Sequence, residues 1–419
     1  MSGRHELKAD ILIIGGGIVG CATALHLAKR GKSVILLERD QSGMRASGVN
    51  FGGVRQHGRA AAELPLSRRA RGIWGSLRNL IGIDGDFIQT GHLRLARKPE
   101  DIDLLRAHRE TAAEFGLQLD FLEQAELREQ YPWLSDAALA ATYCAEDGHA
   151  NPRLVAPAFA AAAQTHGADL HEFTDVTEGW YANGEFHLRI KDGRHFAAPV
   201  LVNAAGAWAA TIAGWFDETV TLVPEIPQVL VTEPTAYRIK PVIGVIGGDL
   251  YLRQTLRGNI LFGGGEGRAN EGFTRSRPLP ETTRRATEMA MRLVPMMAPL
   301  PVIRSWTGVD GDTPDGSPII GSSETHPGLF HAFGFCGHGF QLGPAVGAVL
   351  SELIIDGKSE TPINGLTIGR FRPKPMTAVD AEAESPVEPA TDPTLEPVVE
   401  PAAEPAPEAD SAVSDAGSD

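Results

Sequence analysis

Asp10-Ile-Leu-Ile-Ile-Gly15-Gly-Gly17-Ile-Val-Gly20 opens the interpretable part of this 419-residue chain. The apolar run up to Ile14 is short and unbroken, as in a strand buried on both faces of a parallel sheet. A helical period then runs from Ile18 to Arg30, and Gly31 ends it. Ser33-Val-Ile-Leu-Leu37 supplies a second strand, and Glu38 follows directly. In this strand–turn–helix setting the glycines have separate tasks. Gly15 allows the tight turn, Gly17 lets a pyrophosphate approach the backbone, and Gly20 permits close helix–strand packing. The first helical residues, Ile18 and Val19, lie where free N–H groups and the positive end of the helix dipole face the phosphates. Glu38 stands near the roughly 20-residue offset at which an acid receives a ribose hydroxyl. A dinucleotide site is expected.

Composition narrows the class further. Apolar residues make up 42% and charged residues 22%, ordinary values for a globular protein. The formal charge of −15 is concentrated at one end: 375–419 holds twelve Asp and Glu and no Lys or Arg, so the body carries only −3. That body offers no basic footprint for nucleic acid. Cys21, Cys144 and Cys336 are too few and too scattered for a disulfide framework, a zinc site or an iron–sulfur cluster. No metal is expected, and a reducing compartment, the cytoplasm, is. Ile11–Ala28 contains four glycines and His26, which argues against a signal peptide or membrane helix.

Further along, 73–131 reads as mainly helical, with Glu100–Phe115 the clearest amphipathic segment. Asn151-Pro152 starts another helix, running to His166. Strands are expected near Gly184–Ile190 and at Leu201–Val202, and a hairpin at Leu250–Arg253 with Asn259–Gly263, which sets Tyr251 and Arg253 on one face. A last helix is expected over Pro344–Ile355. From about Lys374 an acid precedes Pro at Glu388, Asp392, Glu396, Glu400 and Glu404, so 374–419 reads as a disordered, acidic, Pro-rich tail.

Five blocks in order resemble the D-amino-acid oxidase superfamily of FAD-dependent enzymes. They are the opening motif with Glu38-Arg39, Ala46-Ser47-Gly48 through Gly53-Val-Arg55, Val202-Asn-Ala-Ala205-Gly206-Ala-Trp208, Trp306-Thr-Gly308 with Thr313-Pro-Asp-Gly, and Gly334-Phe-Cys-Gly337-His338-Gly339-Phe340. The Val54-Arg55-Gln56 and Gly337–Pro344 runs are most similar to β subunits of sarcosine, opine and hydroxyproline oxidases or dehydrogenases. The resemblance implies an α/β fold: a Rossmann-like FAD-binding domain, discontinuous over 1–85, 150–220 and 300–370. A mixed-sheet (α+β) substrate domain would come from 86–149 and 221–299. It implies FAD bound through Gly15, Gly17, Ile18, Val19, Gly20, Glu38, Arg39, Ala46, Ser47, Val176, Ala205, Gly206, Trp208, Gly337, His338, Gly339 and Phe340. It also implies oxidation of the C–N bond of a small amino or imino acid to an imine by hydride transfer to flavin N5.

Two departures qualify these implications. Gly308 stands where monomeric sarcosine oxidases carry a flavin-linking cysteine, so FAD is expected to be non-covalent. Asp310 stands where glycine-oxidase-like relatives place an arginine for the substrate carboxylate, and an aspartate repels one. Arg55 and Arg253 are the candidate replacements, with Tyr251 lining the pocket and His338 near the flavin edge as further catalytic candidates. The implied partners are an amino- or imino-acid substrate and other subunits of a hetero-oligomer. A stand-alone oxidase, or a flavin-binding assembly protein with reduced chemistry, are the alternatives.

Overall fold

The computed structural model describes residues 6–372; the acidic tail expected at 374–419 lies outside them. Ile11–Ile14 is a fully buried strand, and its alternation explains why the run is apolar throughout. Ile11 and Ile13 face one core with Val34 and Leu36, whereas Leu12 and Ile14 face another with Ile35, Leu37, Phe186 and Phe196. The strand sits inside a six-stranded sheet ordered Ile319–Ser322, Leu329–Phe333, Val200–Asn203, Ile11–Ile14, Val34–Leu37, Asp169–His171. All neighbours run parallel except the first pair.

Helices Ile18–Lys29, Pro152–Thr165 and Gly339–Asp356 cover one face. A four-stranded sheet of Glu6–Lys8, His195–Ala198, Glu185–Ile190 and Val176–Ala182 covers the other. The first and last helices touch through glycines. A Cβ on Gly347 would lie 2.5 Å from the Ala22 backbone, and one on Gly343 would lie 2.7 Å from Ile18. This contact aims the amino end of Gly339–Asp356 at the nucleotide turn. Gly347→Val is expected to cost at least about 1–3 kcal/mol by overpacking, read as a lower Tm; an unchanged Tm contradicts the close contact.

The second sheet has eight strands, ordered Val302–Thr307, Pro227–Pro234, Asn259–Glu266, Tyr251–Gln254, Val242–Val245, His92–Ala96, Ala140–Cys144, Asp120–Glu123. Only the Val242–Val245/His92–Ala96 pair is parallel. Leu93, Leu95, Leu230, Leu252 and Phe262 turn into a core shared with helix Pro280–Leu293. The alternate residues His92, Arg94 and Tyr251 face a cavity instead.

Three expectations need correction. Strands His92–Ala96 and Asp120–Glu123 interrupt the region read as mainly helical, because short strands flanking a long amphipathic helix leave only a weak period-2 signal. Val302–Thr307, placed with the nucleotide segments, is an edge strand of the eight-stranded sheet. The last helix begins at Gly339, five residues before Pro344, which it carries within its second turn.

Candidate functional site

Both sheets open onto one cavity of about 900 Å³, at the large end of small-molecule sites. Its nucleotide end is built by local constraints. Gly15, at φ 109°, is required because a Cβ would lie 2.3 Å from the Ala204 oxygen, and Gly20 because a Cβ would lie 1.9 Å from the Gly15 oxygen. Gly17 differs: a Cβ there meets only Ser47 Oγ, at 3.1 Å, so protein packing hardly demands glycine. Gly17 is also the helix N-cap and has no side chain with which to cap. Ser47 does this from the short helix Ala46–Val49, its Oγ accepting from Ile18 N at 2.9 Å. Glu38 accepts from Gly16 N at 2.6 Å and Asp40 N at 2.7 Å, leaving lone pairs on each oxygen. Burial outweighs these bonds and raises its pKa, so a further donor is welcome.

The structure brings the cofactor candidates together: all except Gly20 and His338 line this cavity. Gly20 packs beneath the turn. His338 is the N-cap residue of Gly339–Asp356, with its ring against buried Glu63 (Nδ1–Oε1 2.7 Å) and not on the cavity wall. Burial, then Arg59, lowers His338 to about 4, so the neutral ring donates to Glu63. Burial would raise Glu63, but the His338 bond and Arg59 hold it down at about 2. The two agree on a neutral imidazole beside a carboxylate. Arg39 stacks 4.1 Å above the Trp208 ring, whose Nε1 donates to Gly272 O.

Among the catalytic candidates, Arg55 and Tyr251 reach the cavity and Arg253 does not. The Arg253 guanidinium donates to Phe51 O at 2.7 Å and meets His149 Nδ1 at 3.1 Å, fixing the loop behind the wall. Tyr251 donates to Gln228 O at 3.2 Å, and burial raises its pKa, so the phenol stays protonated.

Three groups on this wall were not anticipated: Arg59, Arg94 and His92. Gly58, at φ 77°, makes room for the Arg94 and Arg55 guanidiniums, since a Cβ there would lie 3.0 Å from Arg94 Nη1 and 3.2 Å from Arg55 Nη1. Buried His92 shares a proton with His57 (Nδ1–Nδ1 3.1 Å), and His57 contacts Thr142 Oγ1 at 2.8 Å. Burial, then neighbouring His and Arg charges, pushes both imidazoles well below their usual range. At neutral pH the positive charge of this wall therefore resides on Arg55, Arg59 and Arg94. His57, His92 and Asp147 hold ligand atoms within 4.8 Å of one another. Asp147, however, accepts from Gln56 N and His57 N, and the three guanidiniums nearby oppose a divalent cation.

The cavity lining also holds acids, Glu225, Asp310 and Asp312. Asp310 Oδ1 accepts from Gly311 N at 3.0 Å and Oδ2 from Gly337 N at 2.8 Å, so Asp310 ties the loop at Gly337 to the strand Asp310–Asp312. Burial raises its pKa. Burial, then Asp310, Glu225 and Glu266, pushes neighbouring Asp312 up to about 7. Asp312 gains charge as pH rises through that value. Affinity for an anionic ligand is expected to weaken through about pH 7 and this step to flatten in Asp312→Asn; an unaltered step contradicts the assignment. Cys336 is held at φ 51° with Sγ 3.4 Å from Thr313 N, and burial raises it to about 11, so it packs as a thiol.

A cavity that begins at a glycine-lined helix N-terminus and ends against a mixed sheet is the layout of a dinucleotide-dependent flavoenzyme. The chain belongs to the FAD dependent oxidoreductase (DAO) family, which it matches over residues 10–353. It is similar to glycine oxidase of Geobacillus kaustophilus (strain HTA426), 28% identical over 355 residues, covering 83% of this chain and 93% of that one. It is also similar to the B subunit of opine oxidase from Rhizobium meliloti, 27% identical over 381 residues, covering 87% and 98%. Among solved structures, L-proline dehydrogenase from P. horikoshii superposes with a TM-score of 0.80 at 30% identity, covering 88% of this chain and 98% of that one.

The protein is thus an FAD-dependent oxidoreductase of a family whose named relatives act on amino acids. Its residues fit the cofactor: open space at Gly17, spare Glu38 lone pairs, and a cavity reaching from Val176 to the Gly337 loop. No helix among the described residues is long and apolar enough to cross a membrane.

Proposed function

We propose that this enzyme oxidises the C–N bond of an amino or imino acid, taking the substrate by its carboxylate at the arginine wall, with FAD held non-covalently. The observation that carries this reading is the cavity itself, which runs from the Gly17 turn to Arg55. Bound flavin supplies the hydride acceptor for the reaction, giving an imine.

The chain's own residues bind and orient. Arg55 lends one nitrogen to His57 O and keeps the rest of its fork for a ligand. The neutral His92 beside it adds no charge that would compete for the carboxylate. Protonated Tyr251 and the Phe51 ring, 4.8 Å apart and edge to face, form an apolar shelf. A water-poor wall favours the uncharged amine, the form that gives up hydride. Non-covalent attachment is supported by Gly308 at the cavity and by Cys336, whose sulfur is engaged by Thr313.

The same reasoning applies to assembly. The opine oxidase relative is, as its name says, one component of a larger enzyme, and we infer the same role for this chain, as a flavin-carrying component. The test of the function is anaerobic mixing of the yellow holoprotein with sarcosine, proline derivatives, opines and D-amino acids. Bleaching by at least one set is expected. No bleaching with any would overturn the reading in favour of an assembly role.

A further inference from the structure

The four-stranded sheet gathers two histidines and a carboxylate on one face. Glu6 pairs directly with His195 on the neighbouring strand, and His187 stands one strand further on, opposite Ala197. Side chains alternate along a strand, so the three project from the same side, with Trp180 opposite His187. The indole lies nearly parallel to both imidazoles, 5.4 Å from the His187 ring and 5.1 Å from that of His195, and holds their planes. None of these four residues lines the flavin cavity.

The placement of one proton shows what the cluster lacks. His187 Nε2 meets Ala182 O at 3.3 Å, and a carbonyl only accepts, so this nitrogen carries the ring proton. The neutral ring then turns a bare lone pair at Nδ1 toward Glu6 Oε1, 3.5 Å away, and Nδ1 is buried without a hydrogen-bond partner. Two acceptors facing each other repel unless a cation lies between them. Glu6 Oε1 is also 3.2 Å from His195 Nδ1. Burial lowers the pKa of His195 although Glu6 opposes it, so this ring too is neutral at neutral pH, the form that ligates metal. One ligand atom from each residue lies within 4.8 Å of the others. A tetrahedral zinc ion at about 2.0–2.1 Å from its ligands sets them roughly 3.3 Å apart, between the two separations from Glu6 Oε1. The cations on this face are already paired, Lys8 with Glu185 and Glu6 Oε2, and Arg189 with Glu178.

We infer that Glu6, His187 and His195 form a binding site for a divalent transition ion of the zinc type. Two imidazoles and one carboxylate suit zinc, whereas magnesium and calcium take oxygen ligands. The scattered cysteines that argued against zinc take no part. An ion bound there staples the edge strand Glu6–Lys8 to two further strands of its sheet.

The test is calorimetric titration of zinc chloride into the untagged holoprotein after treatment with a chelator and its removal. One equivalent of zinc is expected to bind and to raise Tm, with magnesium far weaker. His187→Asn and His195→Asn should each weaken zinc by at least about 10-fold, and Glu6→Gln should do so as well. Flavin content and the rate of flavin reduction should stay unchanged in all three, which shows that each variant is folded. Cobalt in place of zinc should give the visible band of a tetrahedral site, at wavelengths longer than the flavin absorbs. No heat with zinc overturns the inference. Zinc binding that survives the histidine substitutions, or magnesium binding as tight as zinc, overturns it too.

Discussion

Gly17→Val is expected to give a folded protein without yellow colour. A side chain at Gly17 has almost nothing in the protein to strike, since Ser47 Oγ at 3.1 Å is the nearest atom and φ is an ordinary −70°. The added methyls instead fill the space where a pyrophosphate meets the helix N-terminus. Affinity for FAD is expected to fall by at least about a hundredfold, near 3 kcal/mol. Tm of the apoprotein should change little. The flavin-to-protein absorbance ratio reads this directly, and full retention of FAD would contradict the nucleotide reading. Gly20→Val is the informative contrast. Its Cβ would lie 1.9 Å from the Gly15 oxygen, so that variant should fail to fold rather than merely lose colour.

Arg55→Ala is expected to keep its flavin and lose turnover. The residue lines the cavity beyond the nucleotide end, and its one protein bond, to His57 O, leaves most of the fork free. Removing one partner of a buried, hydrogen-bonded charge pair costs about 2–5 kcal/mol. The anaerobic reduction rate at low substrate should therefore drop on the order of 10²- to 10³-fold. Arg55→Lys should recover part of that, because a point charge replaces a bidentate fork. Unchanged reduction in Arg55→Ala would remove this residue from the site.

What the sequence revealed was set by how local each constraint is. Gly15, Gly20 and Glu38 were legible because a turn, a close packing and an acid after a strand are consequences of neighbours in the chain. Ala46, Ser47, Ala205, Trp208 and the Gly337 loop were found only by resemblance, since they reach the cavity from distant segments. Arg94 and His92 went unseen because 73–131 was read as helix. The alternation His92-Leu-Arg-Leu95, with both leucines in the core, was the available signal. Arg59 lies four residues after Arg55, in a stretch with no regular period to show which way it points. Arg253 and His338 show the opposite limit. Strand period placed Arg253 beside Tyr251 and a glycine loop placed His338 near the flavin, but long-range partners decide where a side chain ends. Phe51 and His149 capture the first and Glu63 the second.

We propose that the arginine wall grips a carboxylate next to the flavin. The direct measurement is the anaerobic decay of flavin absorbance when the holoprotein meets matched amines with and without that group, such as an N-alkylglycine and the corresponding N-methylalkylamine. The carboxylated member should bleach the flavin at least about a hundredfold faster. Equal rates for the two, or faster bleaching by the amine that lacks a carboxylate, would contradict the assignment of Arg55, Arg59 and Arg94.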